Sequence, residues 1–294
     1  MKASILLICY NHEKYVEDAV SSIISQSKDF EFEIIVLDDN STDDTYLLAC
    51  ELLKDIDNVT LIKNEINLGI TKNYQKGFSL CAGEFIFVIE GDDYWIDSEK
   101  LSKQIHFLEK HPFHSMCFHP YLLQQDDSRN FYKSGKLSKY LLENFSINDL
   151  ILNENLIGNF SVCCYRARII KEIPSKVFDE ISYDWIINLY MAHFGLIGKI
   201  NEEMSVYRLS KNSLWSTKNL NDQIRDLIYL IPQYDKLLNF VYSKEFNDKT
   251  VSLNNVLYNN TKSKSEVFKN WIPPLIPKLI KYIIPPNFRN KNEY

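Results

Sequence analysis

Apolar and polar positions follow two alternating periods along the first 120 residues. "ASILLIC" (3–9) is a continuous apolar run, the length of a strand and unbroken enough to be buried on both faces. "EKYVEDAVSSIISQS" (13–27) then places Val16, Ala19, Val20, Ile23 and Ile24 at helical spacing. The same reading predicts strands at 33–38, 59–63, 84–90 and 115–123. Between them it predicts helices at 42–55, 71–82 and 98–111, the second stopped by Gly83 and the third by Pro112. For the helix at 42–55, Ser41 or Thr42 is the expected N-cap, with acids in the first turn.

Strands alternating with helices predict an α/β fold with a mostly parallel sheet and helices on both faces. Ligands of such sheets bind beyond the carboxyl ends of the strands. Three polar clusters fall at such ends: "CYNHE" after the first strand, "DDNSTDD" after the second and "EGDD" after the strand at 84–90. Their convergence predicts one crevice.

Further along, the periods weaken. Residues 124–160 read as irregular loops plus a helix near 146–155, and 159–170 as a strand running into a turn or helix. A helix at 184–195 ends at Gly195, and a strand lies within 198–210. From about 219 amphipathic helices with Asn- and Lys-rich joints take over.

Two clusters invite chemistry. In "LDDNSTDDT" (37–45) Ser41, Thr42 and Asp43 can supply the turn and cap. Asp38 and Asp39 are left without structural work and can accept an N–H or hydroxyl from a base or ribose. In "EGDDYW" (90–95) the neighbours Asp92 and Asp93 repel, and each raises the other's pKa unless a cation compensates. Mg2+ or Mn2+ in phosphate chemistry is held by one or two carboxylates plus the substrate phosphates. The plain alternative is an acidic turn ahead of a cap at Ser98. Asp184, before an apolar helix, reads from composition alone as an N-cap.

Composition sets limits. A net charge of −6 argues against sequence-independent nucleic-acid binding, which needs a basic face. The six cysteines form no C-x-x-C pair and read as reduced, buried thiols of a cytoplasmic protein. No phosphate-loop or G-x-G-x-x-G motif occurs, so ATPase and dinucleotide redox chemistry lack support. The N-terminus does not read as a signal peptide.

Five ordered blocks carry a family likeness: "LLICYNHEKYVEDAVSSIISQ", "IIVLDDNSTDDT", "NEINLGITKNYQKGF", "GEFIFVIEGDDYWIDSEKLSKQIHFLEKHP" and "MSVYRLSKNSLWS". Over roughly residues 1–216 the chain resembles the bacterial family 2 glycosyltransferases. The resemblance implies a GT-A fold and inverting transfer from a nucleoside-diphosphate sugar, most often a UDP-sugar, with Mn2+ or Mg2+. It implies a nucleotide-sugar-binding half (1–115) and an acceptor-binding half of the same domain (116–218), to which the amphipathic pattern adds a helical C-terminal extension (219–294).

Carried onto this sequence, the resemblance sets Asp39 against the base with Asp38 beside it. Tyr10, Asn11, Asn67, Gly69 and Asn73 line the nucleotide pocket, and Asp92 lies near the ribose or donor sugar. Asp93 is the expected metal ligand with Glu90 as a second. Glu90 stands where the family's motif has Asp. Asp184 becomes the general base, reversing the capping reading. Arg208 is a diphosphate contact, and Trp185, Lys211 and Trp215 are acceptor contacts. Ser210 occupies a position where many relatives carry His.

The implied acceptor is a saccharide or lipid-linked saccharide of a bacterial surface polysaccharide, of capsule or O-antigen type. "NWIPPLIPKLIKYIIPPNFRNKNEY" (270–294) reads either as a tail packed on the catalytic domain or as a membrane-surface or partner-docking element. The latter would make the protein peripheral at the inner face of the cell membrane, and the C-terminal helices could support an oligomer. Two other classes stay open: a nucleotidyltransferase and an inactive sugar-nucleotide-binding or scaffold protein.

Overall fold

Every residue of β1 (Ala3–Cys9) is buried, because it lies between two parallel neighbours with a helix layer on each face. Those neighbours are β2 (Phe32–Asp38) and β4 (Phe85–Glu90). Ala3, Ile5 and Leu7 join one apolar cluster with residues of α1 (Val16–Ile24), α2 (Thr45–Leu53) and α4 (Lys100–Lys110). α3 (Ile70–Leu80) packs on β1 and β2 separately from that cluster. The computed structural model describes residues 1–27, 29–125, 130–133, 143–153, 156–179, 184–209 and 218–261.

The strands form an eight-membered sheet, β3–β2–β1–β4–β10–β6–β11–β9. Its further members are β3 (Val59–Lys63), β6 (His114–Phe118), β9 (Asn144–Phe145), β10 (Cys164–Arg166) and β11 (Leu196–Lys199). β3, β2, β1 and β4 run parallel. β10 enters antiparallel between β4 and β6, and β9 pairs antiparallel on β11. The chain builds β1, β2 and β3 in one direction and then returns to the other side of β1 with β4. The order therefore reverses between β1 and β4, and that switch opens a crevice at their carboxyl ends.

A second sheet, β5–β12–β7–β8, combines β5 (Tyr94–Trp95), β7 (Leu122–Gln125), β8 (Phe131–Lys133) and β12 (Ser205–Leu209). It begins at Tyr94, directly after Asp93. The predicted strand at 115–123 is two strands in two sheets: Pro120 lacks the N–H a continuous ladder needs, and the chain changes sheet there.

Several predicted helices are shorter than their periodic patterns. α1 starts at Val16 because the N–H groups of Tyr15 and Val16 turn back to the His12 carbonyl. Neither Ser41 nor Thr42 caps α2. Its N-cap is Asp44, and its first turn holds no acid. Residues 159–170 fold as a short 3-10 turn (Phe160–Val162), β10 and α6 (Ala167–Ile170). α5 (Ile147–Leu152) carries a capping box of Ser146 and Asp149, and α7 spans Asp184–Phe194.

The chain divides into two units, Met1–Leu209 and Ser210–Tyr294. In the second, α8 (Leu220–Leu237) and α9 (Ser243–Thr261) pair as a helical hairpin. Ile224, Leu227, Ile231, Tyr234 and Leu238 on one helix, and Phe246, Leu253 and Val256 on the other, are buried at three- and four-residue spacing. Asn260 Nδ2 donates to Asn221 Oδ1 at 3.0 Å, tying the end of α9 to the start of α8. No helix among the described residues is long and apolar enough to cross a membrane. The segment 270–294 lies outside the described residues. All six cysteines are free thiols, and all but Cys50 are buried.

Candidate active site

The crevice begins where β1 ends. Asn11 adopts φ 55°, a left-handed conformation that Asn tolerates better than most residues. Its N–H donates to Ser41 Oγ at 2.9 Å, and its Oδ1 accepts from Thr42 N at 2.9 Å. Asn11 thus staples the loop after β1 to the loop after β2. Tyr10 beside it is 45% exposed, an aromatic face open to solvent.

Asp38 has structural work after all. It is fully buried, and its carboxylate accepts from Ser41 N at 2.8 Å and from the Ser41 hydroxyl. These bonds close the turn that follows β2, and they explain why Ser41 is not a helix cap.

Asp39 is also buried but points into a different network. Oδ1 accepts from Asn64 Nδ2 and Leu68 N, both at 2.8 Å, and Oδ2 accepts from Gly69 N at 3.0 Å. The Asp39 carbonyl accepts from Asn67 Nδ2 at 3.1 Å. Gly69 takes φ 79° and ψ 159° at the start of α3, a region of backbone space essentially restricted to glycine. Asn73 sits one turn into α3, 1% exposed, and its Oδ1 accepts from Asn64 Nδ2 at 2.8 Å. Asn73 therefore lies beneath the pocket floor.

The acidic motif caps β4. Gly91 N donates to Ile8 O at 2.8 Å, pinning the motif to the end of β1. A Cβ at Gly91 would lie 2.6 Å from His12 Nδ1 and 2.8 Å from Cys9 Sγ, so only glycine allows this approach. The neighbours Asp92 and Asp93 then diverge. Asp93 is fully buried: Oδ2 accepts from Asn159 Nδ2 at 2.8 Å and Ser161 Oγ at 2.6 Å, and Oδ1 from Arg208 N at 3.1 Å. Burial and the Asp92 charge push its pKa up to about 7, against the pull of those donors. The side chain expected as main metal ligand is thus committed to protein donors. Asp92, by contrast, retains 19% side-chain exposure, and its Oδ1 lies 4.0 Å from His12 Nε2.

Glu90 is partly exposed. Its Oε1 accepts from Tyr74 OH at 2.8 Å. Burial, then the Asp93 and Asp92 charges, raise its pKa well above the usual carboxylate range. Tyr207 is held well up by burial and by Asp93, Glu90 and Asp92. Tyr121 packs edge-on against it at 5.9 Å and is raised by burial, then by Asp184 and Asp93. Asp184, the first residue of α7 and 9% exposed, contributes to the shifts of both Glu90 and Tyr121. Its charge therefore acts on the same crevice.

Two expected contacts have other partners. Arg208 is sandwiched between the rings of Tyr15 and Tyr94, 5.2 and 4.5 Å from their centroids. It donates to the Asp92 carbonyl at 3.1 Å and pairs with Asp18 of α1. It is 6% exposed, so it braces the acidic turn instead of reaching a diphosphate. Trp185 is 2% exposed and donates from Nε1 to Leu150 O at 3.1 Å, which removes it from acceptor contact. Lys211 and Trp215 lie outside the described residues, as does Ser210.

Among the described residues, no group of three or more His, Cys, Asp or Glu side chains could hold a metal ion. One accessible carboxylate, Asp92, with the electrostatically crowded Glu90 behind it, fits a cation whose remaining ligands come from a bound diphosphate. Sequence reading passed over His12, Asn64, Tyr74, Asn159 and Ser161. Asn64 follows β3 as a polar residue at a strand end, the signal that picked out the other clusters. Asn159 and Ser161 stand in a segment without a period and carry no such signal.

A doubly wound sheet with acids gathered at its switch point defines an α/β protein of GT-A type. Residues 4–174 match the glycosyl transferase family 2 pattern, and the chain belongs to that family. It is 33% identical over 213 residues to an uncharacterised protein of Mycobacterium tuberculosis, covering 72% of this chain and 60% of that protein's length. It is 27% identical over 218 residues to TuaG of Bacillus subtilis, a glycosyltransferase by name of teichuronic acid biosynthesis, covering 73% of this chain and 82% of TuaG. Among solved structures, S. aureus TarS (residues 1–349) superposes with a TM-score of 0.60 at 20% identity, covering 96% of this chain and 79% of that one. The mannosyltransferase PcManGT of Pyrobaculum calidifontis, solved with GDP-Man and Mn2+, gives 0.62 at 12% identity, covering 95% and 79%. The fold expected from sequence, a mostly parallel GT-A sheet with a C-terminal helical extension, is the fold observed.

Proposed function

We propose that this protein transfers a sugar from a nucleoside-diphosphate donor, a UDP-sugar first among the candidates, to a hydroxyl of a saccharide or lipid-linked saccharide. The observation that carries the reading is the pairing of two features at the strand ends on either side of β1. At the end of β2, Asp39 is held by donors that leave one acceptor position on Oδ2. At the end of β4, Asp92 is a partly exposed carboxylate in a crowded acidic turn.

Asp39 accepts the ring N–H of the base, with the exposed Tyr10 ring beside it. Asp92, with Glu90 second, would hold Mn2+ or Mg2+, which neutralises charge developing on the leaving diphosphate. Asp93 and Arg208 keep the turn rigid. Asp184 takes the proton from the acceptor hydroxyl as its oxygen attacks the anomeric carbon. The new C–O bond forms opposite the breaking bond to the diphosphate, which departs with the electron pair, and the configuration inverts. A UDP donor is favoured by the TarS complex with UDP-GlcNAc, and a cell-surface glycan acceptor by the naming of TuaG. Cation use is favoured by the Mn2+ complex of PcManGT. The reaction would then take place in the cytoplasm, where nucleotide sugars are made.

The test separates binding from turnover. Asp184→Asn should keep UDP affinity within about two-fold while turnover falls roughly 10²–10⁴-fold, the range for loss of a general base. Titration calorimetry with UDP and Mn2+, beside a diphosphate-release assay, reads both. Loss of UDP binding in Asp184→Asn would remove Asp184 from the base role.

A further inference from the structure

We propose that Asn64 is the positioning residue for recognition of the donor base, acting by fixing which lone pair of Asp39 stays open. The inference rests on Asp39 as the base reader, as set out above. Asn64 is 4% exposed and lies just past β3. Its orientation needs no assumption about the amide flip. Lys76 Nζ lies 2.8 Å from Asn64 Oδ1, and an ammonium can only donate, so the amide oxygen faces Lys76. The two hydrogens of Nδ2 then go to Asp39 Oδ1 and Asn73 Oδ1, each at 2.8 Å.

A carboxylate offers about four lone-pair positions. Asn64 and the Leu68 N–H take the two on Asp39 Oδ1, and the Gly69 N–H takes one on Oδ2. The position left open is on Oδ2. Because the donors of Asn64 and of the two backbone amides are neutral, they orient the carboxylate without cancelling its charge. An oriented acceptor with one opening suits a base that presents a ring N–H. N3 of uracil carries a hydrogen, whereas N3 of cytosine carries a lone pair and meets the carboxylate with repulsion. Lys76, Asn64 and Asp39 thus form a chain that converts a helix position on α3 into base selectivity at the end of β2. A residue that merely pinned the loop would affect all nucleotides alike.

The experiment titrates the full chain with UDP and with CDP, in the presence of Mn2+, for the wild type, Asn64→Asp and Lys76→Met. Asn64→Asp removes the donor and sets a second carboxylate against Asp39. UDP affinity should fall by about ten-fold or more, the worth of one hydrogen bond to a charged group. The weaker CDP affinity should change by less than about two-fold, so the UDP-to-CDP ratio collapses. Lys76→Met leaves Asn64 in place but frees its amide, and should move the ratio in the same direction by roughly three-fold. It carries the test should Asn64→Asp fail to fold. An equal fall for UDP and CDP, or an unchanged ratio in both variants, overturns the role of Asn64 while leaving Asp39 as base reader. A wild type that binds neither nucleotide overturns the functional reading and this inference with it.

Discussion

Asp92 and Asp93 are neighbours with opposite fates, and the difference lies in what surrounds each carboxylate. Asp93 spends its lone pairs on Asn159, Ser161 and the Arg208 N–H. Asp92 spends none of comparable strength and keeps its exposure. Asp93→Asn would turn an amide's hydrogens toward groups that already donate. We expect a loss of about 2–4 kcal/mol in chemical denaturation, the cost of breaking a buried charged network. Asp92→Asn, at a partly exposed side chain, should cost no more than about 1 kcal/mol, while weakening Mn2+-dependent UDP binding. The reverse ranking would show that Asp93 faces the ligand. The family resemblance put Asp93 first as metal ligand and Asp92 near the ribose or donor sugar, and the sequence held no sign of the partners that bury Asp93. The partners that decide lie 66, 68 and 115 positions away along the chain, and no local period connects them. The partners of Arg208 were hidden for the same reason, since Tyr15, Asp18 and Tyr94 come from elements it meets only in the fold.

Strands and helices were far more legible. The apolar runs of β1, β2 and β4 admit one reading, and the helical spacing of α1, α3 and α4 another. What the pattern missed was how strands join: Pro120 divides what hydropathy reads as one segment, and the antiparallel β10 is three residues long. Helix ends were misplaced where loop side chains serve tertiary bonds, as Ser41 does for Asn11. α4 holds another feature hidden from pattern reading. Lys100, at its first turn, is fully buried beneath Trp95, with Nζ 4.3 Å from the ring centroid and 2.7 Å from Gln104 Oε1. Burial pushes its pKa down to about 8 from 10.5. Below pH 8 the ammonium is charged in both the folded and unfolded chain, and the folded state bears the desolvation cost. Between pH 8 and 10.5 the folded lysine sheds its proton while the unfolded one keeps it, so stability rises with pH. Relative to Lys100→Met, wild type should therefore gain up to about 3 kcal/mol across that window. Paired urea melts at pH 7, 8.5 and 10 check it; a constant difference would mean that Lys100 is neutral, or fully solvated, throughout.

Over the full length of the chain, the alternating elements and the acids at strand ends were enough to expect one crevice in a parallel sheet. Strand order was not legible, because the return of β4 to the far side of β1 is a choice between edges that the chain's own pattern does not encode. That choice brings Asp39 and Asp92 to the strand ends flanking β1. The change to amphipathic helices from about residue 219 was legible in the pattern, whereas the pairing of α8 with α9 and the division after Leu209 were not. Donor sugar, acceptor and linkage depend on contacts that reach beyond these strand ends. The most direct measurement is therefore the simplest one: the full chain incubated with a panel of nucleotide sugars, with Mn2+ and with chelator, scored for release of nucleoside diphosphate. Release from a uridine-based donor, lost with chelator and in Asp92→Asn and Asp184→Asn, is the expected result. No release from any donor, or release that persists in both variants, would contradict a glycosyl transfer centred on these carboxylates.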